Sequence, residues 1–193
     1  MRRRLALLAG GALLGAGLAA LAQGLWIPAK AVLAQVLLDR AYAAGAATGG
    51  PVKAWSWADT WPVARLAVPR HGIEQIVLGG ASGEALAFRP ALLDGTVAPG
   101  EAGGGVIAGH RDTHFAFLGD LAPGDRVEIA RTDGRRFTFI VRDTRVVTWD
   151  SPGVDPAAEG RWLVLTTCWP LDARLPGPLR YLVVAEAVPG AAP

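Results

Sequence analysis

The sequence has a single cysteine, Cys168, and only 3 histidines in 193 residues. One thiol cannot close an internal disulfide, so the fold must rest on its core, and an unpaired thiol in an oxidising compartment is a hazard unless it is used. His71 and His114 lack a cysteine or carboxylate partner at metal-ligand spacing and read as structural or exposed. No internal repeat and no low-complexity tract follow the N-terminal end. Charged residues make up only 19% of the chain. With Arg2, Arg3 and Arg4 set aside, the remaining basic residues nearly balance the 17 acidic ones. The pI of 9.1 is therefore an N-terminal effect and does not indicate nucleic-acid binding, so no nucleic-acid partner is expected.

What is plentiful is apolar sequence, 51% of the chain, and its excess lies at the front. The run from Leu5 through Ile27 carries no charge and is long enough to cross a hydrocarbon core of ~30 Å. Three arginines before it and none just after it predict a single pass through the inner (cytoplasmic) membrane. The N-terminus is then cytoplasmic and the rest periplasmic or extracytoplasmic. Ala20-Leu21-Ala22 has the small-residue pattern of a signal-peptide cleavage site. The run exceeds the usual signal core of ~7–15 residues, which favours a retained anchor.

Three parts are expected. Residues 1–28 form the anchor. Residues 29–50 hold an amphipathic stalk helix over Ala29–Ala44, with Val32, Leu33, Val36, Leu37 and Tyr42 on its apolar face, and a flexible joint at Gly45–Pro51. Residues 51–193 form the main domain. Trp55, Trp57 and Trp61 at its start read as a cap over the core. From Pro62 onward the pattern is short strands between turns: Val63–Val68, Ile73–Leu78, Val106–His110, Arg126–Ala130, Arg136–Thr148, Trp162–Cys168 and Leu179–Val188. Leu86–Leu93 reads as a short helix or turn, and Asp133-Gly134 as a hairpin turn. Seven or eight strands with few helices give a mainly all-β fold, a closed barrel or sandwich of roughly 140 residues.

Cys168 ends the most apolar of these strands, before Pro170, which cannot donate to a ladder. A thiol there is held rigidly and remains reachable. His110 ends Val106–His110 and Arg180 opens Arg180-Tyr181-Leu182, so three strand ends carry a nucleophile, an acid/base and a fixed cation. On one barrel rim these make a thiol nucleophile with an imidazole partner and a guanidinium for an oxyanion. A packed, inert cysteine in a non-catalytic membrane-tethered domain is the competing reading. Asp112 reads as an exposed turn acid rather than a third member. Arg174 rivals Arg180 but lies in a Pro-bounded loop, where a strand would fix it better.

Leu165-Thr166-Thr167-Cys168, Ala108-Gly109-His110 and Arg180 together resemble the sortases, membrane-anchored cysteine transpeptidases. The resemblance runs from about Pro62 to Val188, and the single anchor and Ala/Arg-rich composition look most like the Gram-negative branch. It implies a closed β-barrel of about eight strands with a groove for a sorting peptide. It implies that Cys168 forms a thioester near the C-terminus of a secreted protein, that His110 serves the leaving and incoming amines, and that Arg180 steadies substrate and oxyanion. Thr167 and Thr166 would be substrate contacts beside the nucleophile. The implied partners are a secreted protein bearing a C-terminal sorting signal, an amine acceptor in the envelope and the lipid bilayer. Some sortases bind calcium through acidic loops. No comparable acidic cluster stands here, so neither metal nor cofactor is expected. A thiol peptidase using water in place of the amine remains an alternative. Papain-like order, with cysteine before histidine, is absent, as is the Ser-x-Gly-Cys signature of L,D-transpeptidases.

Overall fold

Strand β1 (Pro62–Val68) buries Ala64, Leu66 and Val68 completely while Val63, Arg65 and Ala67 point the other way. A period of two puts one face of a pleated strand in the core. In the computed structural model, which describes residues 2–150, 154–173, 175 and 177–189, that alternation recurs in some strands and not in others. The other strands are β2 (Ile73–Gly79), β3 (Ala91–Leu92), β4 (Gly103–Ala108), β5 (Arg126–Arg131), β6 (Arg136–Thr148), β7 (Arg161–Trp169) and β8 (Leu179–Ala187). β5 and the first half of β6 alternate in the same way, whereas β2, β4 and β7 carry continuous buried runs. The strands close into a barrel in the order β1-β2-β3-β4-β7-β8-β6-β5. Pairs β2–β3 and β4–β7 are parallel, and the other neighbours are antiparallel. Closure is completed by β3, which pairs with only two residues of β2 and two of β4. The interior is filled by Leu66, Ile107, Ile129, Phe139, Leu163, Leu165 and Val183, joined by Phe115, Phe117, Leu118 and Leu121 from the segment between β4 and β5.

Glycines set two local features. Gly134 takes φ 87 at the turn between β5 and β6, the conformation an Asp-Gly hairpin needs. In Gly103-Gly104-Gly105, an added Cβ would lie 2.2 Å from the Pro156 carbonyl oxygen, 2.9 Å from that of Asp155 and 2.7 Å from that of Val97, respectively. Only a strand without side chains can pass between those backbones.

The sequence left Leu86–Leu93 between helix and turn. The segment splits into helix α2 (Gly83–Phe88) and the two-residue β3. Ser82 caps α2, its hydroxyl accepting the Ala85 N–H at 3.1 Å, and Pro90 keeps Arg89 extended and ends the helix.

Helix α1 runs over Arg2–Thr48, and the chain divides into two units, Met1–Leu37 and Leu38–Pro193. The first contains an apolar stretch with exposed Leu13, Leu18 and Trp26. Among the described residues, α1 is the one helix long and apolar enough to cross a membrane. The joint expected at Gly45–Pro51 differs in the structure, because Gly45 through Thr48 are helical. Within the second unit, Leu38 is 1% exposed, the Tyr42 hydroxyl donates to the Ala130 carbonyl at 3.0 Å, and Arg65 lies over the Tyr42 ring at 4.6 Å. A Cβ on Gly45 would stand 3.3 Å from the Thr132 methyl. The glycine that reads locally as a breaker marks a close approach to Thr132, and tertiary packing overrides its propensity. The tryptophans part ways. Trp55 packs edge-on against Phe88 at 5.1 Å, whereas Trp57 is 81% exposed and caps nothing.

Candidate active site

Three adjacent strands, β4, β7 and β8, carry the residues singled out from the sequence. Cys168, half-buried, is the ladder partner of Arg180 across the antiparallel β7–β8 pair. Directly opposed residues have their Cβ atoms about 4.5–5.5 Å apart and share a face. On the other side of β7 the parallel pairing runs to Ala108 opposite Thr166, and the Gly109 N–H extends it by donating to the Thr166 carbonyl at 3.1 Å. Continued by one more residue, that register sets His110 level with Cys168. His110 lies beyond β4 and is exposed, rather than standing as the last residue of the strand. Arg174 lies outside the described residues.

Alternation fixes which way each side chain faces. Leu163 and Leu165 belong to the barrel core, whereas Val164 packs outside with Val106 and Leu182. Thr166 and Cys168 share parity with Val164 and so lie on the outer face. Arg180 shares it as the cross-strand partner. Leu93, Val147, Val154 and Val184 extend this outer cluster into an apolar strip. The strip leads to a cavity of ≈ 370 Å³ floored by Val154, Trp162, Val164 and Val184 and rimmed by Arg142, Asp143, Arg145 and Asp155.

Thr167 has the opposite parity and is 3% exposed. Its hydroxyl donates to the Gly109 carbonyl at 2.7 Å. Both polar groups of the Gly109 backbone are thus held by β7, its N–H by Thr166 and its carbonyl by Thr167. The Phe115 ring lies beneath, 2.9 Å from where a Cβ on Gly109 would sit. The Phe115 N–H closes the turn by donating to the His110 carbonyl at 2.9 Å. Each bond removes a degree of freedom from His110 relative to Cys168.

Cations and imidazoles surround this point. Arg180 Nη1 donates to the Gly177 and Leu179 carbonyls, each at 2.8 Å, which anchors one arm of a group with five N–H donors. Arg111, next to His110, donates from Nη1 to the Pro170 carbonyl at 3.1 Å and from Nη2 to the Leu175 carbonyl at 2.7 Å. His114 is half-buried, with Nδ1 unpartnered among the described residues. Burial pushes its pKa below the usual imidazole value, with Arg89 and His110 adding to the effect; a bond to the Phe88 backbone and the Asp112 charge oppose it. His71 is remote from this group: its Nε2 lies 3.7 Å from the buried Asp125 carboxylate. The Ala122 N–H and Arg70 hold Asp125 below the usual carboxylate range against the cost of its burial.

Arg111 and the Thr167–Gly109 bond were not singled out from the sequence as parts of the site. A fork-shaped donor directly after a candidate acid/base was the signal available for the first. The second depends on the register between β4 and β7, which no local pattern reports.

A family model described as Sortase domain matches residues 66–188. The chain is 29% identical over 124 residues to Sortase D of Bacillus subtilis, a match covering 64% of this chain and 62% of that protein's length, less than two thirds of it. Among solved structures, Sortase A from Corynebacterium diphtheriae aligns with a TM-score of 0.60 at 24% identity, over 68% of this chain and 63% of that one. Sortase C-1 from Actinomyces oris aligns with a TM-score of 0.60 at 26% identity, over 66% of this chain and 75% of that one.

Proposed function

The chain belongs to the sortase family, and on that premise we propose that it is a membrane-anchored cysteine transpeptidase. It cleaves the C-terminal sorting signal of a secreted protein and transfers the product to an amine acceptor in the cell envelope. The observation that carries this reading is the register that makes Arg180 the partner of Cys168, while on the other side of β7 the β4 pairing ends at Ala108, two residues before His110. The Cys168 thiolate attacks a peptide carbonyl carbon, the C–N bond breaks, and His110 gives its proton to the departing amine. The acyl group then rests on sulfur as a thioester. An incoming amine attacks it, His110 takes the amine's proton, and the C–S bond breaks to release the ligated product and the thiolate. Arg180 donates to the oxyanion that forms in each half-reaction.

The outer apolar strip beside Cys168 suits an extended peptide with apolar side chains, and Thr166 lines its edge. The Thr167 hydroxyl is committed to Gly109, so Thr167 serves the substrate by fixing the floor on which it lies. The N-terminal helix holds the enzyme in the cytoplasmic membrane. Arg2, Arg3 and Arg4 lie on the cytoplasmic side and the barrel on the extracytoplasmic side.

The test is intact mass of the detergent-solubilised chain after incubation with a pool of peptides carrying C-terminal sorting-type signals. An acyl adduct absent from Cys168→Ala, and discharged by triglycine as a ligated product, is expected. Discharge to water alone at any triglycine concentration replaces transfer with hydrolysis, and no adduct from any peptide sinks the reading.

A further inference from the structure

The segment joining β7 to β8 starts two residues after Cys168 and ends two residues before Arg180, and its described residues include Pro170, Ala173 and Leu175. It is held by a side chain from elsewhere. Arg111 grips it at two points through different nitrogens, the Pro170 carbonyl at 3.1 Å and the Leu175 carbonyl at 2.7 Å. The Pro170 carbonyl also accepts the Ala173 N–H at 3.3 Å, so one arm of the guanidinium lands on a carbonyl that already closes a turn within the segment. Arg111 is covalently next to His110, whose own carbonyl is tied to Phe115.

We propose that Arg111 is a positioning residue that locks the β7–β8 segment to the histidine turn and so sets the spacing of His110 against the Cys168–Arg180 pair. The proposal rests on the transpeptidase reading for its kinetic consequence but not for its structural one. The chemistry explains the residue type. Two carbonyls some five residues apart need two donors in a fixed plane, which a guanidinium supplies and an ammonium on a flexible stem does not. Without the clamp, the segment and the histidine turn move independently, and misplacement of a reacting group by about 1 Å is enough to cost on the order of 100-fold in rate.

The experiment compares the full-length, detergent-solubilised wild type with Arg111→Gln and Arg111→Lys. Amide hydrogen exchange at Ala173 is the first readout. The second is the rate of Cys168 acylation, resolved into kcat and KM, by the peptide that acylates the wild type in the mass assay. Arg111→Gln is expected to speed exchange at Ala173 about tenfold and to lower kcat by roughly 10- to 100-fold, with KM within a factor of about three and the melting temperature unchanged. Arg111→Lys, keeping the charge and one bond, recovers part of the kcat. Unchanged exchange in Arg111→Gln overturns the clamp, and faster exchange with unchanged kcat overturns its positioning role. If no peptide acylates the wild type, the transpeptidase reading fails on its own, and the exchange comparison still decides whether Arg111 holds the segment.

Discussion

Cys168 and Arg180 are ladder partners across β7 and β8, each half-buried on the outer face of the barrel. A strand pair holds two side chains at a spacing that thermal motion of a loop would blur. On the proposed mechanism, Arg180 is the donor for the oxyanion that forms when the thiol attacks a carbonyl. Arg180→Ala is expected to lower the acylation rate by about 10²- to 10³-fold, the usual cost of losing one oxyanion donor. Arg180→Lys restores little of it, because Lys lacks the second arm that keeps the group in place. An acylation rate within a few-fold of wild type in Arg180→Ala would remove this residue from the chemistry.

Thr167→Val keeps the shape of the side chain and deletes its hydroxyl. The Gly109 carbonyl loses its partner in a part-buried position, which costs about 1 kcal/mol of stability, the low end for an unsatisfied buried group. Acylation slows as His110 gains freedom, and Thr167→Ser recovers both. Chemical denaturation and the mass assay check this together. A Val variant that is equally stable and equally fast would show that the bond positions nothing.

Gly109→Ala drives a methyl into the Phe115 ring. Overpacking of this kind costs about 1–3 kcal/mol. The double variant Gly109→Ala with Phe115→Leu makes room at the ring, so its melting temperature should exceed that expected from adding the two single losses. Simple additivity would mean the two residues are not in conflict.

His114 gives the acid side of the stability profile a definite sign. Its folded-state pKa is lowered by burial, Arg89 and His110, so as pH falls through the ordinary imidazole range near ~6.5 the unfolded chain takes up a proton that the folded chain resists. Stability contributed by the neutral imidazole is present above that range and is lost below it. His114→Gln should flatten the decline in melting temperature between about pH 7 and about pH 5 relative to wild type. Parallel curves would assign the decline to other groups.

Removal of the N-terminal apolar stretch has a position at which it begins to harm the barrel. A chain starting at Leu38 retains the buried Leu38 and the Tyr42 bond to Ala130, whereas one starting at Gly50 lacks both. The shorter chain is expected to be less stable by at least about 2 kcal/mol, the low end for losing one buried leucine. Equal denaturation midpoints would reduce residues 38–49 to a passive stalk.

Much of the architecture was legible because alternation reports strands directly. Ala64, Leu66 and Val68, or Phe137, Phe139 and Val141, need nothing beyond their own spacing to declare an inward face. The strand ends at Cys168 and Arg180 came from the same signal, together with Gly and Pro as punctuation. Two kinds of information stayed hidden. Gly45 looked like a breaker because helix propensity is local, while the contact near Thr132 that accommodates it lies far along the chain. β3 is only two residues long, too short to show a period at all. At the site, the parity that turns Thr167 inward and Cys168 outward could have been counted from Leu165. That the inward hydroxyl meets Gly109 could not, because the partner is supplied by parallel pairing between distant strands.

The parallel join between β4 and β7 also bears on when the chemistry can first exist. His110 follows β4 and Cys168 lies on β7, and β5 and β6 come between them along the chain, yet in the closed barrel β4 and β7 are neighbours. A newly made chain therefore has no partial site. It must pair β4 with β7, which are distant in sequence and so slow to join, before Cys168 and the turn carrying His110 are brought to the same end of the barrel. A one-residue slip in β7 would turn the sulfur toward the barrel interior. An unfinished chain, or one with β7 out of register, therefore lacks the ladder pairing of Cys168 with Arg180 and the alignment of β7 with β4.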